Sequence, residues 1–163
     1  MKRFVFHLAV AVLMAAPVFA QQQRGDTELQ FQGSLSVSTK SGDNDSGSAA
    51  VNWGRFFTDQ QEAGVTALTF FTGKGDVSGF GGPFWRLNMG RGKTVPYIGA
   101  SLAATFGDFS SNNAIVNLEG GVRWFLSRSA AFTLGGLYTY DTKEKKFNDS
   151  VQVLFGFSYL WGK

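Results

Sequence analysis

Residues 151–161 read VQVLFGFSYLW, and this closing stretch constrains the chain more than any other. Val151, Val153, Phe155, Phe157, Tyr159 and Trp161 fall on one side of a period-two pattern, and a β-strand sends alternate side chains to opposite faces. The other face, Gln152, Leu154, Gly156, Ser158 and Leu160, is mixed and small. A strand with one wholly apolar face needs either a second sheet or a lipid bilayer to cover it.

The N-terminus narrows the choice. Lys2 and Arg3 precede an apolar run from Phe4 to Ala16, then Pro17 and the small-residue site Val18-Phe19-Ala20. That is the layout of a cleaved secretory signal, which predicts a signal peptide over 1–20 and a mature domain over 21–163. The apolar run is shorter than the roughly 20 residues a spanning helix requires. No later run approaches that length, so any membrane crossing must be made by strands.

The formal charge of +3 falls to +1 without Lys2 and Arg3, which gives no reason to expect a nucleic acid partner. The chain has no cysteine, so neither a disulfide framework nor a thiolate site is available. Charged residues make up 17%, against about 25% in ordinary soluble domains, while glycine and phenylalanine are abundant. The combination points to β-structure with tight turns.

Eight strands are expected along the chain. The first, about Thr27 to Lys40, sets Leu29, Phe31, Leu35 and Val37 against Glu28, Gln30, Gln32, Ser34, Ser36 and Ser38. The others run over about Ser48 to Phe57, Glu62 to Thr72, Phe80 to Gly90, Val95 to Phe106, Ala114 to Leu126, Ala130 to Tyr140, and Val151 to Trp161. The third strand has weak alternation, because Leu68 and Phe70 compete with Val65 and Ala67, and its facing stays open. Arg55 shares the face of Trp53, so either its head extends to a membrane interface or the register there is shifted by one.

Each strand is near the nine to eleven residues a tilted transmembrane strand requires. Longer connections alternate with shorter ones, as in outer-membrane barrels. With both termini in the periplasm, Phe57, Trp124 and Trp161 fall near the lower rim and Phe106, Tyr138 and Tyr140 near the upper one, an expected interfacial aromatic girdle.

Two local motifs invite other readings. Asp43-Asn44-Asp45 suggests calcium, but an EF-hand loop counted from Asp43 would need glycine and glutamate where Ser48 and Gly54 stand. Gly90-Arg91-Gly92-Lys93-Thr94 looks like the end of a P-loop, yet Leu87 stands where the first glycine belongs and a strand follows instead of a helix. Both read as a solvated loop and a basic hairpin turn.

RFFTDQQEAGV from Arg55, VPYIGASL from Val95, LEGGVRWFLS from Leu118 and the aromatic final strand together resemble the small eight-stranded outer-membrane barrels of Gram-negative bacteria, the OmpA-type and OmpX-type group. The resemblance covers nearly all of the mature chain. It implies an all-β, eight-stranded antiparallel up-and-down transmembrane barrel, monomeric, in contact with outer-membrane lipid and lipopolysaccharide. It also implies that assembly machinery reads the last strand through Trp161, although Gly162 and Lys163 follow it here.

Charges facing lipid at mid-membrane cost about 2 to 4 kcal/mol for Arg or Lys, so Arg86, Glu119 and Arg123 are expected inside. An eight-stranded barrel has room for little but side chains. The expected lumen is a polar network of Arg86, Asn88, Asn117, Glu119 and Arg123 with the glutamines of the first strand. The only histidine is His7, inside the predicted signal, which removes the usual serine hydrolase, cysteine and zinc chemistries from the mature chain. Glu119 has Arg123 close in sequence on its own face, and no partner acid is evident.

The expectation is therefore a non-enzymatic outer-membrane barrel of structural or surface-interaction type, without cofactor or metal, its Lys143, Lys145 and Lys146 able to meet acidic lipopolysaccharide groups. The alternatives are a narrow porin-like conduit lined by the same polar groups, or a soluble lipocalin-like binding barrel. The strongly polar face of the first strand opposes the latter, whichever way it is turned.

Overall fold

A computed structural model describes residues 22–36, 46–72, 77–107, 114–142, 146–147 and 151–162. The predicted signal segment, the Asp43–Asp45 run, Lys143 and Lys145 lie outside the described residues. Among the described residues there are nine strands: β1 (Thr27–Ser36), β2 (Ser46–Phe56), β3 (Gln61–Thr72), β4 (Val77–Asn88), β5 (Thr94–Gly107), β6 (Ala114–Ser127), β7 (Ala130–Asp141), β8 (Lys146–Phe147) and β9 (Gln152–Trp161). β8 is a two-residue extension paired to the end of β7. The eight long strands form one antiparallel sheet in the order β6-β5-β4-β3-β2-β1-β9-β7, and pairing of β6 with β7 closes it.

Closure follows from the register. Leu35 pairs Val153, Val153 pairs Gly136, and the lateral row continues through Gly120, Ile98, Leu87 and Gln61. Phe57, bonded to Gln61, brings the row back beside Gly25, ten residues before its start at Leu35. Such a stagger obliges the strands to tilt by about 40° to the barrel axis. Small residues meet on the lumen side of the wall. Gly64 faces Gly54 and Gly121 faces Gly135, so close that a Cβ on Gly64 or Gly121 would strike the neighbouring backbone. Outside, the Phe155 ring lies over Gly33, 2.7 Å from where a Cβ would stand, and covers backbone that would otherwise lack a side chain.

The two faces of the wall have opposite chemistry. Outward positions are apolar and uncovered by protein: Phe31, Trp53, Val65, Leu102, Phe157 and Tyr159 each leave about half their surface exposed. Inward positions are polar and buried, among them Glu28, Gln30, Asn52, Glu62, Arg86, Asn88, Arg123 and Ser158. An inside-out arrangement of this kind is stable only with hydrocarbon around it. The third strand, left open in sequence, turns Glu62 and Leu68 inward and Val65 and Ala67 outward. Arg55 lies opposite Thr27 and Ala63 on the outer wall, so the register is unshifted.

Boundaries differ from expectation in two places. The glycine-rich segment expected to be a loop through Gly79 is strand from Val77, because Val77 and Ser78 pair with Phe71 and Phe70. The charged 141–148 stretch begins inside β7 with Asp141, and Lys146 pairs back to it. Ladder bonds outweigh local composition at both.

Candidate functional site in the barrel lumen

The lumen is organised in three levels. At the end where residues 22–26 and the short turns lie, Phe56, Val95, Phe125, Ala131 and Leu160 meet as an apolar plug with at most 1% of each exposed. They come from β2, β5, β6, β7 and β9, one inward position each near the strand end, so together they span the bore.

Above the plug lies a charged level. The Arg86 guanidinium, from β4, donates through Nη1 to Glu62 Oε2 at 3.1 Å, through Nε to Glu119 Oε1 at 2.9 Å, and through Nη2 to Gln30 Oε1 at 2.9 Å. Its Nη1 also stands 3.7 Å from Glu28 Oε1. Arg123, from β6, donates through Nη1 to Asn88 Oδ1 at 3.1 Å and through Nη2 to both oxygens of Glu28. Ser158 donates to Glu28 Oε1 at 2.8 Å. Aromatic faces back the cations: Phe84 and Tyr97 rings lie 5.2 and 5.3 Å from the Arg86 guanidinium carbon, and Phe125 lies 5.6 Å from that of Arg123. Buried charges survive only when paired and hydrogen-bonded, and here each guanidinium is held by carboxylates from other strands. Two glycines make the room. A Cβ on Gly54 would run into Glu62 Oε1 and the Phe84 ring, and one on Gly99 would stand 2.6 Å from Glu119 Oε1.

The third level is neutral. Asn52 donates to Gln30 and Gln32 at 2.9 and 2.8 Å, Ser34 and Ser48 hydroxyls lie 2.6 Å apart, and Ser34 donates to Gln152 at 2.9 Å. A cavity of about 40 Å³ remains between the levels, bordered by Asn52, Thr66, Arg86, Ser101, Asn117 and Glu119, room for a few water molecules only.

The expected polar set is thus divided. Arg86 and Glu119 meet directly, and Arg123 meets Asn88, but Asn117 belongs to the neutral level, donating to Ser101 at 3.2 Å and accepting from Thr139 at 2.8 Å. Glu119 pairs with Arg86 and, among the described residues, shows no ion pair with Arg123, its neighbour in sequence. The absence of a partner acid is also corrected, since Glu28 and Glu62 complete the charged level. Glu62 is not legible in sequence as a lumen acid, because the alternation of β3 is too weak to assign its faces. Glu28 stood on the polar face of β1, but nothing local shows that closure carries it to β6.

At the short-turn end, Phe57 and Trp161 are exposed, Trp161 stacks on Tyr159 at 5.8 Å, and Trp124 stacks on Phe132 at 6.0 Å. Tyr138 and Tyr140 are half-buried near the other end, and the Phe106 side chain lies outside the described residues. The Gly90–Thr94 turn has Gly90 and Gly92 at φ 129° and 131°, with Arg91 paired to Asp59 at 2.6 Å.

No protein-family model matches the chain, and no curated protein matches it by sequence. Solved structures do. The N-terminal β-barrel domain of Pseudomonas aeruginosa OprF superposes with a TM-score of 0.64 at 13% identity, covering 86% of this chain and 100% of that one. Neisserial surface protein A gives 0.59 at 15% identity, over 82% of this chain and 94% of its own. A de novo designed transmembrane β-barrel gives 0.55 at 10% identity, over 86% and 99%. With its apolar wall, polar lumen and closed eight-strand register, the chain has the fold of the small antiparallel up-and-down transmembrane β-barrels.

Proposed function

We propose that the protein is a non-enzymatic outer-membrane barrel of structural or surface-interaction type, with termini in the periplasm and a lumen closed to solutes. The observation that carries this reading is the pair of stacked levels across the bore: the Phe56, Val95, Phe125, Ala131 and Leu160 plug beneath the Arg86, Arg123, Glu28, Glu62 and Glu119 cluster. A solute crossing here would have to separate buried ion pairs whose alternative is an unpaired charge in a low-dielectric interior. Outer-membrane placement is supported by the likeness to OprF and Neisserial surface protein A and by the signal-like N-terminus. Recognition of the last strand by assembly machinery, through Trp161, and loop contact with lipopolysaccharide belong to the same proposal.

Single-channel recording in planar bilayers tests it. The wild-type barrel, folded by the criterion of a heat-dependent gel shift, is expected to leave the bilayer non-conducting. Steady ion conductance from the wild type would replace this reading with the narrow-conduit alternative.

A further inference from the structure

At the short-turn end the outer wall carries a feature that neither the lumen nor the general need for an apolar surface explains. Arg55 is the single cation on an otherwise uncharged lateral row, Trp161, Thr27, Arg55, Ala63 and Trp85. Thr27 and Ala63 are small, so Arg55 rises from a low stretch of the wall whose row ends in a tryptophan on either side. Above it, Ala63, Val65 and Ala67 face outward along β3, and Trp53 pairs with Val65 on one side while Trp85 pairs with Ala63 on the other. A low apolar track between two indoles therefore leads down to a cation.

A second cation joins it. Gly25 donates to Phe56 O at 2.7 Å and Phe56 donates to Asp26 O at 2.8 Å, which lays the N-terminal segment against β2 and brings Arg24 to the same groove. Arg24, Gly25, Arg55, Phe56, Phe57 and Ala63 line that groove, of about 410 Å³, a size suited to a small-molecule group. A Cβ on Gly25 would meet nothing within 4 Å, so the groove is open there. The acids beside the groove are already engaged: Asp59 accepts from the Arg24 backbone N at 3.0 Å and from Arg91 Nη2 at 2.6 Å, and Asp26 accepts from the Gln23 backbone N at 2.9 Å. Among the described residues neither the Arg24 nor the Arg55 guanidinium has a hydrogen-bond or ion-pair partner.

We propose that Arg24 and Arg55 clamp the phosphate of an anionic membrane lipid, with an acyl chain lying along Ala63, Val65 and Ala67 between Trp53 and Trp85. Paired guanidinium groups suit a phosphate because they offer several donors in fixed planes, and indoles at the headgroup level flank the glycerol region. The occupant is a lipid and not a free anion because the groove opens on the wall that faces hydrocarbon. The proposal rests on the transmembrane reading of the barrel and not on the lumen being closed, so conductance by the wild type would leave it standing.

The test is native mass spectrometry of the folded barrel released from detergent micelles doped with dioleoyl phosphatidylglycerol or dioleoyl phosphatidylcholine. The wild type is expected to retain one phosphatidylglycerol with about tenfold preference over phosphatidylcholine. R24Q/R55Q loses the preference, while R128Q, which removes one charge elsewhere on this rim, keeps it. Ala63→Phe fills the low track with both cations in place and abolishes retention, a second route should the double variant fail to show the heat-dependent gel shift. Equal loss in R128Q, unchanged retention in R24Q/R55Q or A63F, or displacement of the lipid by millimolar inorganic phosphate would overturn the assignment.

Discussion

Arg123 Nη2 donates to both carboxylate oxygens of Glu28, and the two residues are separated by 95 positions in the chain. Both side chains are buried, at 0% and 1% exposure. Removing one partner leaves the other charged and enclosed. Arg123→Met is expected to destabilise the barrel by roughly 3–5 kcal/mol, read as a lower midpoint in urea unfolding of lipid-embedded protein. Glu28→Leu in the same chain should restore much of the loss, since no orphan charge remains. A double variant as unstable as the single would show that the pair acts through packing and not through charge.

Glu62 responds differently. Three carboxylates, Glu28, Glu62 and Glu119, stand on the two guanidiniums of Arg86 and Arg123, so neutralising one acid balances the formal charge. Glu62→Gln keeps an acceptor for Arg86 and should shift unfolding by no more than about 1 kcal/mol. A loss as large as that of Arg123→Met would mean that the third negative charge is required.

Glycines separate by face. Gly99→Ala places a methyl 2.6 Å from Glu119 Oε1, whereas at Gly120 the nearest atom, Tyr97 O, is 3.6 Å away. Alanine at 99 must push a carboxylate off Arg86 and is expected to cost about 1–3 kcal/mol; alanine at 120 should be neutral or mildly stabilising. Parallel urea titrations decide, and equal effects would refute the account of Gly99.

Tyr97 is enclosed, with its ring beside Arg86 and its hydroxyl without a hydrogen-bond partner among the described residues. Tyr97→Phe keeps the ring and should leave stability within about 0.5 kcal/mol. Tyr97→Leu, which removes the aromatic face from the cation, should cost more, by about 1 kcal/mol or above. Thermal gel-shift midpoints of the two variants provide the comparison.

These expectations also mark what a sequence can disclose. Period-two alternation is a local property, so in β1 through Ser34, in β6 and in β9 the inward and outward faces are legible in the sequence. In β3, Leu68 enters the neutral level while Val65 meets lipid, and two apolar faces leave no contrast to read. The lumen partners are harder still. Arg86 draws its acids from β3 and β6, and Arg123 draws Glu28 from β1; which inward residues share a level depends on the lateral stagger, fixed only when the sheet closes. Arg55, ambiguous from its face alone, is placed once Thr27 and Ala63 are known to flank it.

The seam between the first and last strands has a temporal meaning. Thr27 pairs Trp161 and Leu35 pairs Val153, so the edge of β1 has no partner until β9 is available. Without β9, β1 and β7 are both open edges, each able to template addition of another chain. No shorter nascent chain can complete this cylinder, and a stop codon before β9 would yield an adhesive open sheet rather than a smaller barrel.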